Sequence, residues 1–543
     1  MTIAILLIVF RIVVLPVQFQ DREMMTTREQ QETLVANAQA YFNRQYADAD
    51  AFRIQLGPAV TLSHPEAYYG ANNPDRRDVR LPEAVREACN LVKDDVDFSQ
   101  YDADADGTVD CVILLTAGTD EQAGGGESAI WPQQGRLSNS GNALSLKGKR
   151  IDPYIAAPEG RLSMLCHEIG HVLGLPDFYD TDGEDSGGRT PGLWRTSLMD
   201  EGCFQDVPPD FGALEFDLLG LGRCEPLTVG RQILQPLQSS ERRYLKAPTD
   251  KEGEYFLFEC RAGALLVYHV DRSDNPAGHS PRHDADLTAR ERWEYGLVND
   301  CASHPCARLL PADPEASDAS ALPFGLHGFD SFGSDTPTPF RSWSGHASTL
   351  ALTDIHPTDD GNVAFEVIEP LALTDLTIYQ DAAVLQWQPN PALTGILGFE
   401  VSWSDGDESG SQVLGPTATS FTIEGLHAQT TYLFSVRMDL SERNRYSVGG
   451  TFVTKVFHEG TYPYIYLSGA LRNVDGSFPS GSQIPLRVFN ATDVQEVIWT
   501  LDSMRIHPES DGLYTLRRSG LLRATILHTD GSSETIIKQI TVQ

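Results

Sequence analysis

His167, Glu168 and His171 stand in the run His167-Glu168-Ile169-Gly170-His171-Val172-Leu173-Gly174-Leu175-Pro176-Asp177. On a helix the two imidazoles lie one turn apart on one face, so both reach a single ion. Glu168 leaves the same turn at another angle, where a carboxylate can hold a water beside that ion and take its proton. Gly174 supplies the positive φ that ends a helix, and Pro176 prevents its continuation. The chain can then double back and offer Asp177 as a third, oxygen ligand. Three protein ligands with the fourth position open is the arrangement of catalytic, not structural, zinc. Asp180 and Asp182 in the following loop compete for the third place, or serve calcium or cap a turn. Tyr179 could reach a developing oxyanion, or could simply pack. Met199, in Ser197-Leu198-Met199-Asp200, is a candidate hydrophobic floor beneath the metal. The plain alternative is a helix with two surface histidines. Against it, Leu162, Leu165, Val172 and Leu173 place the helix in a core, where unpaired imidazoles are costly.

A second run has carboxylates at alternate positions, Asp102, Asp104 and Asp106, followed by Gly107 and Asp110. Hard oxygens around a sharp glycine turn suit calcium. Position twelve of that run is Ile113 where a full EF-hand has Glu, so Asp110 or an outside residue must complete the shell. The bland counterpart is a solvated acidic turn. A calcium ion here would be structural, pinning the loop that leads into the apolar segment 111–115.

These groups need a scaffold. Residues 11–19 read as a buried first strand, 26–46 and 81–92 as amphipathic helices, 111–115 as a short strand and 162–173 as the helix that carries the histidines. Glycine-rich loops lie at 124–126 and 183–192. This is an α+β catalytic-type domain. After Glu369-Pro370 the pattern changes to short alternating strands separated by turns. Residues 371–457 resemble a fibronectin type III module, with Trp387, Leu426, Tyr432 and Tyr446 as core positions. Residues 458–543 read as another immunoglobulin-like sandwich, with turns at Asp475-Gly476, Asp511-Gly512 and Asp530-Gly531. The organisation expected is therefore 1–370, with a core at 1–230 and an associated β-rich part at 231–370, then 371–457 and 458–543.

With 41 basic against 76 acidic residues the formal charge is −35, which repels phosphates and argues against nucleic acid and anionic membrane as partners. No stretch reaches the roughly 20 apolar residues of a membrane span. The segment 1–10 has the length of a signal-peptide core but lacks a basic start and a small-residue cleavage site, so as a leader it is incomplete. Eight cysteines form no zinc-type Cys-x-x-Cys. Cys111 and Cys166 read as buried thiols, whereas Cys301 with Cys306, and Cys203 with Cys224, are candidate disulfide pairs.

In order along about 340 residues the chain carries VVLPVQFQD, DFSQYDADADGTVD, GGGESAIWP, HEIGHVLGLPDFYD, SLMD, ALLVYHVD and SWSGHASTLALTDI. Together these resemble the immune inhibitor A family of bacterial secreted metalloendopeptidases, which is similar to the metzincins. The resemblance implies a metzincin-like catalytic fold and zinc at His167 and His171, with Asp177 by the extended motif. It further implies Glu168 as the catalytic base and acid, structural calcium, protein or peptide substrates, and a secreted or cell-surface location. The two β modules would space the enzyme or attach it to a surface or glycan. The stretch from 259 to 264 is short for the family, and no family propeptide precedes the first strand. A second reading, from another class, is a zinc-binding adhesion protein that has lost catalysis; the intact Glu168 speaks against it.

Overall fold

The long apolar run after Arg11 becomes a strand buried on both faces, as central parallel strands require. In the computed structural model residues 10–543 are described, apart from 75, 316–321, 380, 442–443, 456–462, 468–476 and 510–511. The leader segment 1–9 thus lies outside the described residues. In chain order the first elements are β1 (Phe10–Gln18), α1 (Arg28–Tyr46), β2 (Phe52–Leu56), β3 (Val60–Thr61), α2 (Glu66–Tyr69), α3 (Leu81–Leu91), β4 (Cys111–Thr116), β5 (Gln133–Arg136), β6 (Leu144–Leu146), β7 (Lys149–Ile151), β8 (Pro153–Pro158) and α4 (Leu162–Val172).

β2, β1, β4 and β8 run parallel, and β5 closes one edge antiparallel to β8. Alternate residues feed opposite cores. Ile12, Val14, Ile113, Leu115 and Ile155 meet α1 and α4 through Leu34, Phe42, Leu165 and Ile169. Val13, Leu15, Val112, Leu114 and Tyr154 meet α3 through Leu81, Val85 and Ala88. The histidine-bearing helix is therefore fastened to the sheet by its apolar face. α1 begins later than the pattern suggests. Thr27 caps it reciprocally with Gln30, while the Thr26 amide and hydroxyl are spent on Glu159 at the end of β8.

The second part of the front region comprises α5 (Ala213–Leu219), β9 (Arg223–Pro226), β10 (Gly230–Leu234), β11 (Arg243–Pro248), β12 (Glu254–Arg261), β13 (Ala264–Asp271), β14 (Pro276–Ser280), β15 (Ala285–Thr288), α6 (Ala289–Tyr295), β16 (Ala307–Leu309), β17 (Ala351–Pro357) and β18 (Val363–Ile368). Its main sheet has the order β16-β13-β12-β11-β9. One face of that sheet, including Tyr244, Leu257, Leu266 and Tyr268, joins the same hydrophobic cluster as α1 and α4. The other face packs on β10, β17 and β18. Residues on both sides of position 230 thus share one hydrophobic cluster. The stretch 259–264 is a tight hairpin: Ala262 and Gly263, both at positive φ, connect paired Arg261 and Ala264. It packs against residues 357–362 rather than against the cleft described below.

Among the described residues all eight cysteines are free thiols, so neither expected disulfide is formed. Cys203 is buried and Cys224 is exposed, which leaves that pair without a common surface.

Residues 371–453 form two facing sheets, one of three strands and one of four. Trp387 and Phe399 meet in the core, and the His427 amide donates to the Tyr432 hydroxyl, fixing a corner between strands. The module is not a loose appendage. Ala351 belongs to its hydrophobic cluster, a Cβ at Gly333 would sit 2.7 Å from the Tyr446 ring, and the Ser447 amide donates to Ser334 Oγ. The last module has its own core around Trp499, Leu501 and Leu522. Its turn at Asp530-Gly531 joins the two final strands, while residues 475–476 and 511 lie outside the described residues. Among the described residues no helix is long and apolar enough to cross a membrane.

Candidate metal centre and active site

α4 ends as its sequence suggests. Gly174 adopts φ +95, its amide donates to His171 O, and Leu175 N donates to Gly170 O. The reversal lets the Leu175 carbonyl accept from His171 Nδ1 at 2.9 Å, while His167 Nδ1 reaches the Leu198 carbonyl at 3.0 Å. Each Nδ1 therefore carries a proton, which leaves each Nε2 as the ring's ligand atom. The two Nε2 atoms lie 3.1 Å apart, and Asp177 Oδ1 lies 3.2 Å from one and 3.3 Å from the other. These three atoms converge. Edges of that length suit donors that each lie about 2.0–2.1 Å from one common ion. The residues fit zinc, and Asp177, not Asp180 or Asp182, shares the group with the histidines.

The electrostatics agree. Burial disfavours a charged His171, but Asp177 and Glu168 outweigh it and raise the imidazole's pKa to about 9, so near neutral pH the ring holds on Nε2 a proton that a bound cation must displace. Burial likewise raises the Asp177 carboxyl, yet its bonds to the two imidazoles push it below the usual carboxylate range. The cluster thus attracts positive charge strongly. Glu168 is 3% exposed, with Oε2 unpartnered; burial raises its pKa against the pull of both histidines. A carboxyl so placed holds a proton more readily than a surface glutamate does.

Met199 is fully buried under the helix. A Cβ at Gly170 would lie 2.5 Å from its sulfur, so only glycine lets the thioether sit there. The Met199 carbonyl also accepts from Phe178 N, tying the turn to the loop that carries Asp177. Tyr179 stacks beside His167, ring centroids 6.4 Å apart, and lines the same cleft. Burial, then Asp177, raises its phenol pKa, so it remains a donor. Asp180 accepts from the amides of Asp182, Gly183 and Thr190, and Asp182 accepts from Ser186 Oγ. Both organise the loop.

Sequence reasoning missed what holds the turn at 197–199. Ser197 Oγ accepts from Met199 N and donates to Glu215 of α5, whose other oxygen accepts from Gly212 N. Arg261 of β12 donates to the Thr196 carbonyl and pairs with Glu259. Glu215 and Glu259 are fully buried. A buried acid far along the chain carries no local pattern, and a backbone carbonyl such as that of Leu198 has no letter at all.

In the acidic loop, Asp102, Asp104 and Asp106 offer oxygens within 4.8 Å of one another. Asp110 does not join them. Its oxygens accept from Arg11 N at 2.7 Å and Ala103 N at 3.1 Å, fastening the loop to β1. Lys149 of β7 contacts Asp102 Oδ2 at 2.6 Å, while Asp102 Oδ1 is buried without a partner.

Residues 17–209 match the family model for the immune inhibitor A peptidase M6 catalytic domain, and the zinc-type constellation falls inside the match. Residues 370–447 match the fibronectin type III domain. Over 193 residues the chain is 30% identical to the pre-pro-metalloprotease PrtV of Vibrio cholerae serotype O1, covering 30% of this chain and 21% of that protein. It is 29% identical over 158 residues to immune inhibitor A of Bacillus thuringiensis subsp. alesti, covering 23% and 22%. The chain thus spans about a fifth of the length of these relatives. A fibronectin type III domain of human collagen alpha-1(XX) chain matches at 24% identity, covering 17% of this chain and 86% of that one, with TM-score 0.14. The M6 match ends before Glu215 and Arg261, so residues beyond it complete the support of the turn beneath the two histidines.

Proposed function

We propose that this chain is a metzincin-like, zinc-dependent endopeptidase acting on proteins or peptides outside the cell. The observation that carries the reading is the convergence of His167 Nε2, His171 Nε2 and Asp177 Oδ1, three atoms placed to bind one cation together. Zinc bound there would polarise a peptide carbonyl and acidify a water. Glu168 takes the proton from the attacking water and returns it to the departing amine nitrogen. Tyr179 donates toward the carbonyl oxygen as charge develops on it. Met199 supports the ligands from below. β5, paired on one side only among the described strands, offers an edge along which an extended peptide can add. The M6 match and the metalloprotease relative support the same reading. Digestion of a mixed peptide library by the purified protein tests it. Cleavage should stop with chelator and return with zinc; cleavage indifferent to chelator, or none at all, would overturn the proposal.

Asp102, Asp104 and Asp106 are proposed to hold a structural calcium, with the unpartnered Asp102 Oδ1 among its ligands. Calcium added after chelation should raise the melting temperature, and Asp104→Ala with Asp106→Ala should abolish the response. Binding to the folded state alone stabilises by about 2.7 kcal/mol at a hundredfold excess over Kd. A wild type whose melting ignores calcium excludes the site, and would assign Lys149 as the cation of that loop.

A further inference from the structure

Around the cleft stand three glutamines, Gln122, Gln133 and Gln134, beside the metal-binding residues. Two have protein partners. Gln133 Nε2 donates to Asp78 Oδ2 at 2.6 Å and Gln134 Nε2 to the Gly135 carbonyl at 3.3 Å. Gln122 differs: its Oε1 is buried and has no hydrogen-bond partner among the described residues. A buried carbonyl left unpaired is costly and calls for an explanation.

The loop that carries Gln122 is built to hold it still. Gly124 N donates to the Glu121 carbonyl, Gly125 N to that of Asp120, and Ala123 N to Asp120 Oδ1. A Cβ at Gly125 would lie 2.0 Å from the Thr119 carbonyl oxygen, so this tight turn accepts only glycine there. The Asp120 side chain, 1% exposed, pairs at 2.8 Å with Arg161, the residue just before α4. Loop and histidine helix are thereby joined, which holds the backbone of Gln122 at the cleft.

We propose that Gln122 is a substrate-binding residue whose side-chain oxygen accepts a hydrogen bond from a backbone N–H of an extended polypeptide in the cleft. This rests on the peptidase reading above and adds a recognition element to it. A peptide paired with β5 along one edge still has N–H groups on its other edge to satisfy. A backbone contact of this kind is blind to side-chain identity, so Gln122 contributes affinity for extended peptide in general and not preference for one residue.

The test is a cycle between the enzyme and an internally quenched peptide that the wild type cleaves. Gln122→Met keeps the shape and removes the acceptor. In the peptide, single amides near the scissile bond are replaced in turn by esters, each deleting one N–H. Expected is a KM about tenfold higher for Gln122→Met with kcat little changed, since the lost bond serves substrate and transition state alike. One ester peptide should be impaired with the wild type but suffer no further loss with the variant, the signature of a shared contact. Gln122→Glu, which keeps an acceptor and the same length, should retain a KM close to that of the wild type. The proposal fails if Gln122→Met has wild-type KM, or if its defect multiplies with every ester alike. It fails also if Gln122→Glu is as impaired as Gln122→Met, which would make the amide nitrogen the working group. A wild type that cleaves nothing overturns the peptidase reading itself, whereas an active wild type with an unaffected variant overturns this inference alone.

Discussion

Glu168→Gln should lose about a thousandfold in kcat/KM on any peptide substrate while still binding one equivalent of zinc. Gln has the shape of Glu, and the position is 3% exposed within a packed helix, so the fold has little to lose. The amide cannot take a proton from water or hand one to the departing nitrogen. The histidines and Asp177 are untouched, so the metal stays. Turnover on the peptide and metal content by elemental analysis are read on the same sample. Full zinc with wild-type turnover would sink the assignment of Glu168 as proton carrier; lost zinc would recast it as a ligand.

Asp177→Ala should weaken zinc by more than the 10–100-fold that removal of an outer supporting group typically costs. The reason is geometric. Asp177 Oδ1 lies within 3.3 Å of both Nε2 atoms, and among the described residues no other carboxylate joins that group. Asp180→Ala is the control. Its oxygens hold the amides of Asp182, Gly183 and Thr190, so its loss should loosen the loop and leave zinc affinity nearly intact. Competition against a chromophoric chelator measures both. Equal losses for the two variants, or a larger loss for Asp180→Ala, would move the third ligand out of position 177.

The centre was readable where chemistry follows chain spacing. His167 and His171 are one helical turn apart, and Gly174 with Pro176 marks the reversal that delivers Asp177. The same reasoning stopped short wherever a group's partner is remote. Alternate aspartates announce a calcium-type loop, yet nothing in their spacing tells that Asp110 turns inward to the amides of Arg11 and Ala103. Cysteine spacing suggested two bridges, but pairing depends on where elements pack, and Cys203 and Cys224 end in different surroundings. The strands 10–18 and 111–116 declared themselves through continuous apolar runs. That the sheet at 243–271 would share their hydrophobic cluster could not be read, because an apolar strand shows how buried it is and not by what.

The link from Glu215 through Ser197 to the turn beneath the metal has a consequence for how the protein is made. As the chain leaves the ribosome, both histidines and Asp177 emerge well before α5 and β12. Until those later segments arrive, Ser197 lacks its acceptor, Thr196 lacks Arg261, and the Leu198 carbonyl that orients His167 is unsupported. Domains fold as units, so segments that share one core complete it only when all of them are present. The final geometry around His167 therefore awaits synthesis past residue 261, and a nascent chain stalled before that point carries His167, His171 and Asp177 without the groups that brace the turn beneath them.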